Sequence, residues 1–327
     1  MLIMRPALAC ILATFVLLRG VPALAQDAAA NYPNKPVTLI LFTLPGGSSE
    51  YQTRNYASKL QASLGKPILL DFKAGAGGAI GAAFVAKSVP DGYTLLVTTP
   101  AFSTLPAFNA NLAFDPIRDF GPVVLLSKQL AIFVVHPSVP VKNVQEYIAY
   151  ARANPGKLNW GTSGVGSTAH LTGAWFNELT GTEATFVHYK GAPQMEIDFI
   201  AGRVTVAAMN FSVSAPLVKA GKLRALGMAS SVRSAQFPDL PTVREQGVDY
   251  ENALWFGITA PAQTPAAIVA KLNAEFIKAL KTADVQQALD KDGSVSVGGT
   301  PAEFGRHIVS EVDRWKRLVK QTGMQLQ

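Results

Sequence analysis

Thiols are all but absent from this 327-residue chain. The lone cysteine, Cys10, falls within the first 25 residues, a segment that reads as a leader removed on export, and sits too early there to be a lipid-anchor site. The remainder then has no disulfide and no cysteine-based metal centre. Histidine is scarce too: His136, His170, His188 and His307 stand far apart with no paired ligand spacing, which gives zinc no support. Two glycine-rich stretches fall short of known chemical signatures. In Gly75-Ala76-Gly77-Gly78-Ala79-Ile80-Gly81 the third glycine of a dinucleotide fingerprint would fall on Ile80. In Gly161-Thr162-Ser163-Gly164-Val165 the second glycine of a hydrolase elbow is replaced by Val165. No cofactor, no metal and no catalytic residue is expected.

A membrane-spanning run is missing as well. The apolar stretch Ala7 to Leu18 is interrupted by Arg19 and is shorter than the roughly 20 residues a helical span needs. With Arg5 before it and Ala23-Leu24-Ala25 after it, it reads as a signal peptide over residues 1–25, cleaved after Ala25, which directs the protein to the periplasm. The formal charge of +7 includes Arg5 and Arg19, so the mature chain carries +5, a modest excess that suits small anions. The densest basic stretch, Arg306, His307, Arg314, Lys316, Arg317 and Lys320, is interleaved with Glu311 and Asp313. It reads as a solvated helix face rather than a nucleic-acid surface.

Five times an apolar run ends in a short loop of glycine, serine and threonine and then resumes at helical spacing. The clearest case is a strand at Val37 to Phe42, the loop Pro45-Gly46-Gly47-Ser48-Ser49, then a helix from Tyr51 to Leu64. Amides at such a helix start, with the dipole behind them, attract an anion. Strands and helices alternate, which predicts α/β layering with largely parallel sheets. A mature chain of this length divides into two lobes. We place the first lobe at 32–128 plus 253–327 and the second at 129–252, so that the strand Trp255 to Ala260 returns to the first. The late helices start at Pro265, Asp284 and Pro301, and Thr264 and Thr300 are the expected caps.

Each candidate has a plainer reading. His170 is a structural hydrogen-bonding histidine in isolation. Ser163, Ser167 and Thr168 are turn or capping residues. Glu50 complements a helix dipole, Lys190 lies in water, and Phe42 and Trp160 are core.

Many motifs in order nevertheless resemble one family. They include Tyr32-Pro33-Asn34-Lys35-Pro36, Pro45-Gly46-Gly47, the glycine run at 75–81, Asp91-Gly92-Tyr93-Thr94-Leu95-Leu96 and Phe114-Asp115-Pro116. Asn154-Pro155-Gly156-Lys157-Leu158, His170-Leu171, Tyr189-Lys190-Gly191 and Pro238-Asp239-Leu240-Pro241-Thr242-Val243 continue the series. The chain resembles the periplasmic substrate-binding proteins of tripartite tricarboxylate transport systems, the Bug or TctC proteins. The resemblance implies a two-lobed periplasmic-binding-protein fold, type II-like, each lobe a mostly parallel sheet flanked by helices. It implies capture of a small organic acid by lobe closure for membrane subunits of a transporter.

The ligand residues it implies are Thr43, Gly46, Gly47, Ser48 and Ser49 after the first strand, and Thr98, Thr99 and Ser103 after the third. In the second lobe they are Ser163, Ser167, Thr168, Ala169, His170, Tyr189 and Asn210. The chain departs from the pattern at Thr43, where phenylalanine is usual, at Glu50, where aspartate is usual, and at Met209, where an aspartate usually precedes Asn210. Loss of that acceptor predicts a mono- or dicarboxylate without an ammonium group, with an apolar or aromatic body. A ligand-sensing module on the same fold is the alternative, and an exported hydrolase a weaker one.

Overall fold

The computed structural model describes residues 29–109, 111–162, 164, 167–189, 192–252 and 254–323. The expected leader and its cleavage point, together with Ser163, Lys190 and Gly191, lie outside the described residues.

Parallel pairing begins the fold: β1 (Val37–Leu41) lies between β2 (Ile68–Phe72) and β3 (Thr94–Thr98). Four of the five β1 residues are buried, as befits a parallel strand covered by helices on both faces. The connecting helices are α1 (Ser48–Leu64) and α2 (Ala79–Ala86). Gly65 ends α1 in a left-handed conformation, φ 65°, that needs no Cβ. α3 (Pro100–Phe108) leads to β4 (Phe120–Gln129), and a single residue, Leu130, then carries the chain into β5 (Ala131–Val135) of a second sheet.

That sheet collects β6 (Asn159–Thr162), β7 (Thr185–His188), β8 (Val206–Asn210) and β9 (Arg224–Met228), in the order β7-β6-β8-β5-β9. Its helices are α4 (Val144–Ala153), α5 (Thr168–Thr180), α6 (Ala192–Ile200) and α7 (Phe211–Lys219). The chain returns past Asn252 into β10 (Leu254–Pro261), which slots between β3 and β4. After α8 (Ala266–Leu280) and α9 (Ala283–Asp292), β11 (Ser294–Gly298) pairs with β4, and α10 (Pro301–Thr322) closes the fold. The first sheet thus runs β11-β4-β10-β3-β1-β2.

Each sheet has a core on both faces. In the first, Leu39, Leu41 and Val97 pack with Tyr56 and Phe276, while Ile40, Leu96 and Trp255 pack with Phe102 and Phe304 on the other side. In the second, Phe133 and Trp160 pack with Tyr147 and Phe176, while Ile132 and Met209 pack with Phe199 and Phe211. The late strand does join the first sheet, and Phe42 and Trp160 are core, as expected.

Three expectations need correction. The sheets are mixed rather than mostly parallel: β4, β10 and β11 pair antiparallel, as do β5, β8 and β9 where they meet. The crossings cause this, because a strand entering a sheet from its neighbour has no crossover helix to turn it parallel. Thr264 does not cap α8, whose N-cap is Pro265, whereas Thr300 forms a full capping box with Glu303 on α10. Finally, the basic residues of α10 do not form one solvated face. Arg306, Lys316, Arg317 and Lys320 are exposed, but His307 and Arg314 turn inward. Phe304, Ile308 and Val312 enter the first sheet's core, and Trp315 and Leu318 enter the second's. Among the described residues no helix is long and apolar enough to cross a membrane.

Candidate functional site

A cavity of about 430 Å³ opens where the second sheet meets the returning crossing. Its polar lining begins with Ser167, Thr168 and Ala169 at the start of α5. The Ser167 side chain accepts from the His170 amide at 3.3 Å, which fixes the first turn. The Thr168 and Ala169 amides occupy the two positions before it, which have no intrahelical acceptor. Asn210, at the end of β8, adds a side chain that makes no capping bond to α7. The remaining lining comes from Met195 and Glu196 of α6, Ala208 and Met209 of β8, Val213 of α7, and Asn252 and Leu254 at the crossing. Asn252 is held by its Nδ2 donating to Ala208 O and its amide to Ala229 O. Helix-start donors thus face a wall that is mostly thioether and hydrocarbon, the usual make-up of a small-molecule site.

Of the expected residues, Ser167, Thr168, Ala169 and Asn210 line this cavity together. His170 turns away from its lining and packs its ring against Phe186 and His188. Burial and then the neighbouring His188 lower its pKa to about 4, so it is neutral at pH 7. Tyr189 is also committed elsewhere: its hydroxyl donates to Asp198, which pairs with Arg203.

The first-sheet candidates form a separate group at the carboxyl ends of the neighbouring strands β1 and β3, where open α/β sheets take ligands. Thr43, Ser49, Thr98 and Ser103 each carry a buried hydroxyl oxygen with no hydrogen-bond partner. Thr99 is buried at the N-cap of α3 without a side-chain capping bond. Gly47 is the N-cap of α1, and the amides of Ser48 and Ser49 occupy its open first turn. Gly46 differs, because its amide already donates to Glu50 Oε2 at 2.8 Å. That bond, then Arg54, lowers the Glu50 pKa, so Glu50 complements the helix start and does not face the cavity. Thr43 escapes the core because Phe42 takes the apolar slot: Gly78 and Gly81 leave room for that ring.

The two groups approach each other at the base of the crossings. Pro100 at the start of α3 and Thr168 at the start of α5 border one small polar space of about 50 Å³. Beside it, Lys128 Nζ and Glu251 Oε1 pair at 2.7 Å, and Trp255 and Trp315 donate to Glu311. Burial would raise the Glu251 pKa, but Lys128 prevails and lowers it. Among the described residues no group of three or more His, Cys, Asp or Glu side chains is gathered to hold a metal.

Sequence reasoning missed Met195, Glu196, Ala208, Val213, Asn252 and Leu254 as cavity residues. Glu196 had one signal, its place five residues into the helix after the Tyr189-Lys190-Gly191 loop. Asn252 and Leu254 had none, since only the topology brings them beside β8.

Comparisons with known proteins agree with this layout. The family model of the tripartite tricarboxylate transporter family receptor, TctC, matches residues 52–324. Protein BugT of Bordetella pertussis is 32% identical over 326 residues, 98% of either chain. Among solved structures, Rpa4515 of R. palustris with adipate is 35% identical, with a TM-score of 0.70 over 90% of this chain and 99% of its own. A TctC solute binding protein from Polaromonas, solved with no ligand, is 26% identical, with a TM-score of 0.81 over 89% and 99%. The two-lobed α/β fold of periplasmic binding proteins is therefore this chain's fold. With its family model matched over most of its length, the chain belongs to the tripartite tricarboxylate transporter receptor family, TctC.

Proposed function

We propose that the mature protein is a periplasmic receptor that captures a small organic carboxylate between two lobes and delivers it, unaltered, to the membrane subunits of a tripartite transporter. The observation that carries this reading is the 430 Å³ cavity at the open first turn of α5, with an apolar wall around it. A carboxylate at that turn meets the Thr168 and Ala169 amides and the positive end of the helix dipole. Its hydrocarbon body meets Met195, Met209, Val213 and Leu254. The unpartnered hydroxyls of Thr43, Ser49, Thr98 and Ser103 support the first lobe as the second half of the clamp.

In this reading the lobes comprise residues 32–128 with 253–327, and 129–252, hinged near Leu130 and Asn252. The chain superposes better on the ligand-free Polaromonas protein than on the adipate complex, although the identities run the other way, which supports an open arrangement here. Closure then brings the first-lobe hydroxyls onto the ligand. Charge-assisted bonds contribute about 1.5–3 kcal/mol each, so a few reach the roughly 8 kcal/mol of micromolar binding after ordering costs. The receptor character of the family and the adipate held by Rpa4515 support binding without turnover.

The test is a thermal-shift screen of aliphatic and aromatic carboxylates on the mature protein, followed by calorimetry and recovery of the ligand. Expected are a saturable carboxylate and its intact release. No response to any carboxylate, or chemical conversion of the bound one, would overturn the proposal.

A further inference from the structure

One charged side chain on the cavity wall has no counter-ion among the described residues. Glu196 is half-buried, lines the cavity, and makes neither a hydrogen bond nor an ion pair among the described residues. Its neighbours on α6 do not compensate it: Asp198 is acidic and is already paired with Arg203. Among the described residues no lysine, arginine or histidine contributes to the cavity lining, which leaves the helix-start donors as its positive features there. Other carboxylates near the crossings are neutralised, Glu251 by Lys128 and Glu311 by Arg314 and two indoles. Partial burial pushes the Glu196 carboxyl up from its ordinary range.

We infer that Glu196 is a specificity residue that accepts a hydrogen bond from a donor at the far end of the ligand, and that it repels a second ionised carboxylate. The inference rests on the reading above, in which the first carboxylate sits at the start of α5. A ligand of this size then finds its head among amides and its tail near an anion. A hydroxyl or ammonium tail satisfies Glu196, a methyl tail leaves it unpaired, and a carboxylate tail faces like charge in a partly desolvated space. The departure at Met209 removes one acceptor, and Glu196 supplies another in the same cavity. On this inference an ammonium or hydroxyl tail, against which the loss of an acceptor at Met209 argued, finds an acceptor at Glu196 instead.

A matched six-carbon set tests this: hexanoate, 6-hydroxyhexanoate, 6-aminohexanoate and adipate, titrated calorimetrically into the mature protein and into Glu196→Gln. The wild type is expected to bind a donor-tailed acid about tenfold or more tighter than adipate. In Glu196→Gln that gap closes to about threefold or less, as adipate binds more tightly and the donor-tailed acid less tightly, while hexanoate gains less than adipate does. Glu196→Ala should relieve the adipate penalty in the same way, and an unchanged thermal unfolding curve shows that either variant is folded. If hexanoate and its relatives bind but the substitutions leave the order of affinities unchanged, Glu196 is not the determinant and the receptor reading stands. If no carboxylate binds the wild type, the receptor reading and this inference fall together.

Discussion

Gly173 shows how a single missing side chain positions the site. It lies on α5, and a Cβ there would come within 2.8 Å of Trp160 and of Phe186. The helix thereby seats closely on the second sheet and presents its first turn to the cavity. Gly173→Ala should cost about 1–3 kcal/mol through overpacking, measured by urea unfolding, and should weaken ligand binding in parallel.

Titration at single residues gives a second prediction. Burial, together with His188 for His170 and Lys128 for His307, lowers both imidazole pKa values to about 4. The unfolded chain takes up these protons near pH 6.5, whereas the folded chain refuses them until about pH 4. Their contribution to stability is complete above pH 6.5 and is lost as pH falls toward 4. The melting temperature should therefore drop between pH 7 and pH 5, and His307→Gln should flatten that drop.

Among the elements, two Thr-Pro dipeptides look equivalent in sequence and behave differently in the fold. Thr300 accepts from the Glu303 amide at 3.2 Å while the Glu303 side chain takes the Thr300 amide; Thr264 makes no such bond. Thr300→Ala should cost about 1 kcal/mol and Thr264→Ala close to nothing, as read from paired denaturation midpoints.

The contrast shows what is legible in a sequence. A dipeptide signals a helix start, but whether the threonine serves as the cap depends on the backbone around it. Alternating apolar runs and glycine loops revealed most strands and helices and the return of β10 to the first sheet. α3 was hidden because it carries Pro100 and Pro106, although the first sits at a position that tolerates proline and the second falls in the last turn of a short helix held by the buried Phe102. β11 was hidden because its alternation of serine and valine lies on a sheet edge. In the site, donors on loops carried a sequence signature, whereas the hydrocarbon wall from Met195, Val213 and Leu254 arises only from the crossing of distant segments.

At the scale of the whole molecule, ligand binding should be visible as both stabilisation and compaction. A carboxylate at 100 times its dissociation constant should stabilise the fold by about 2.7 kcal/mol. Small-angle scattering should show a smaller radius of gyration with ligand than without it. A melting shift with no compaction would mean that the cavity fills without the lobes approaching.

The path of α10 bears on how they approach. Its first half is rooted in one core through Phe304, Ile308 and Val312, and its second half in the other through Trp315 and Leu318, with Arg314 stacked 4.3 Å from the centre of the Trp175 ring. For the hinge proposed above, a rod fastened at both ends is a third point of mounting. Such a mount limits how far the jaws can part and keeps their approach short, so cutting α10 back to before Trp315 should lower the melting temperature and raise the ligand-free radius of gyration.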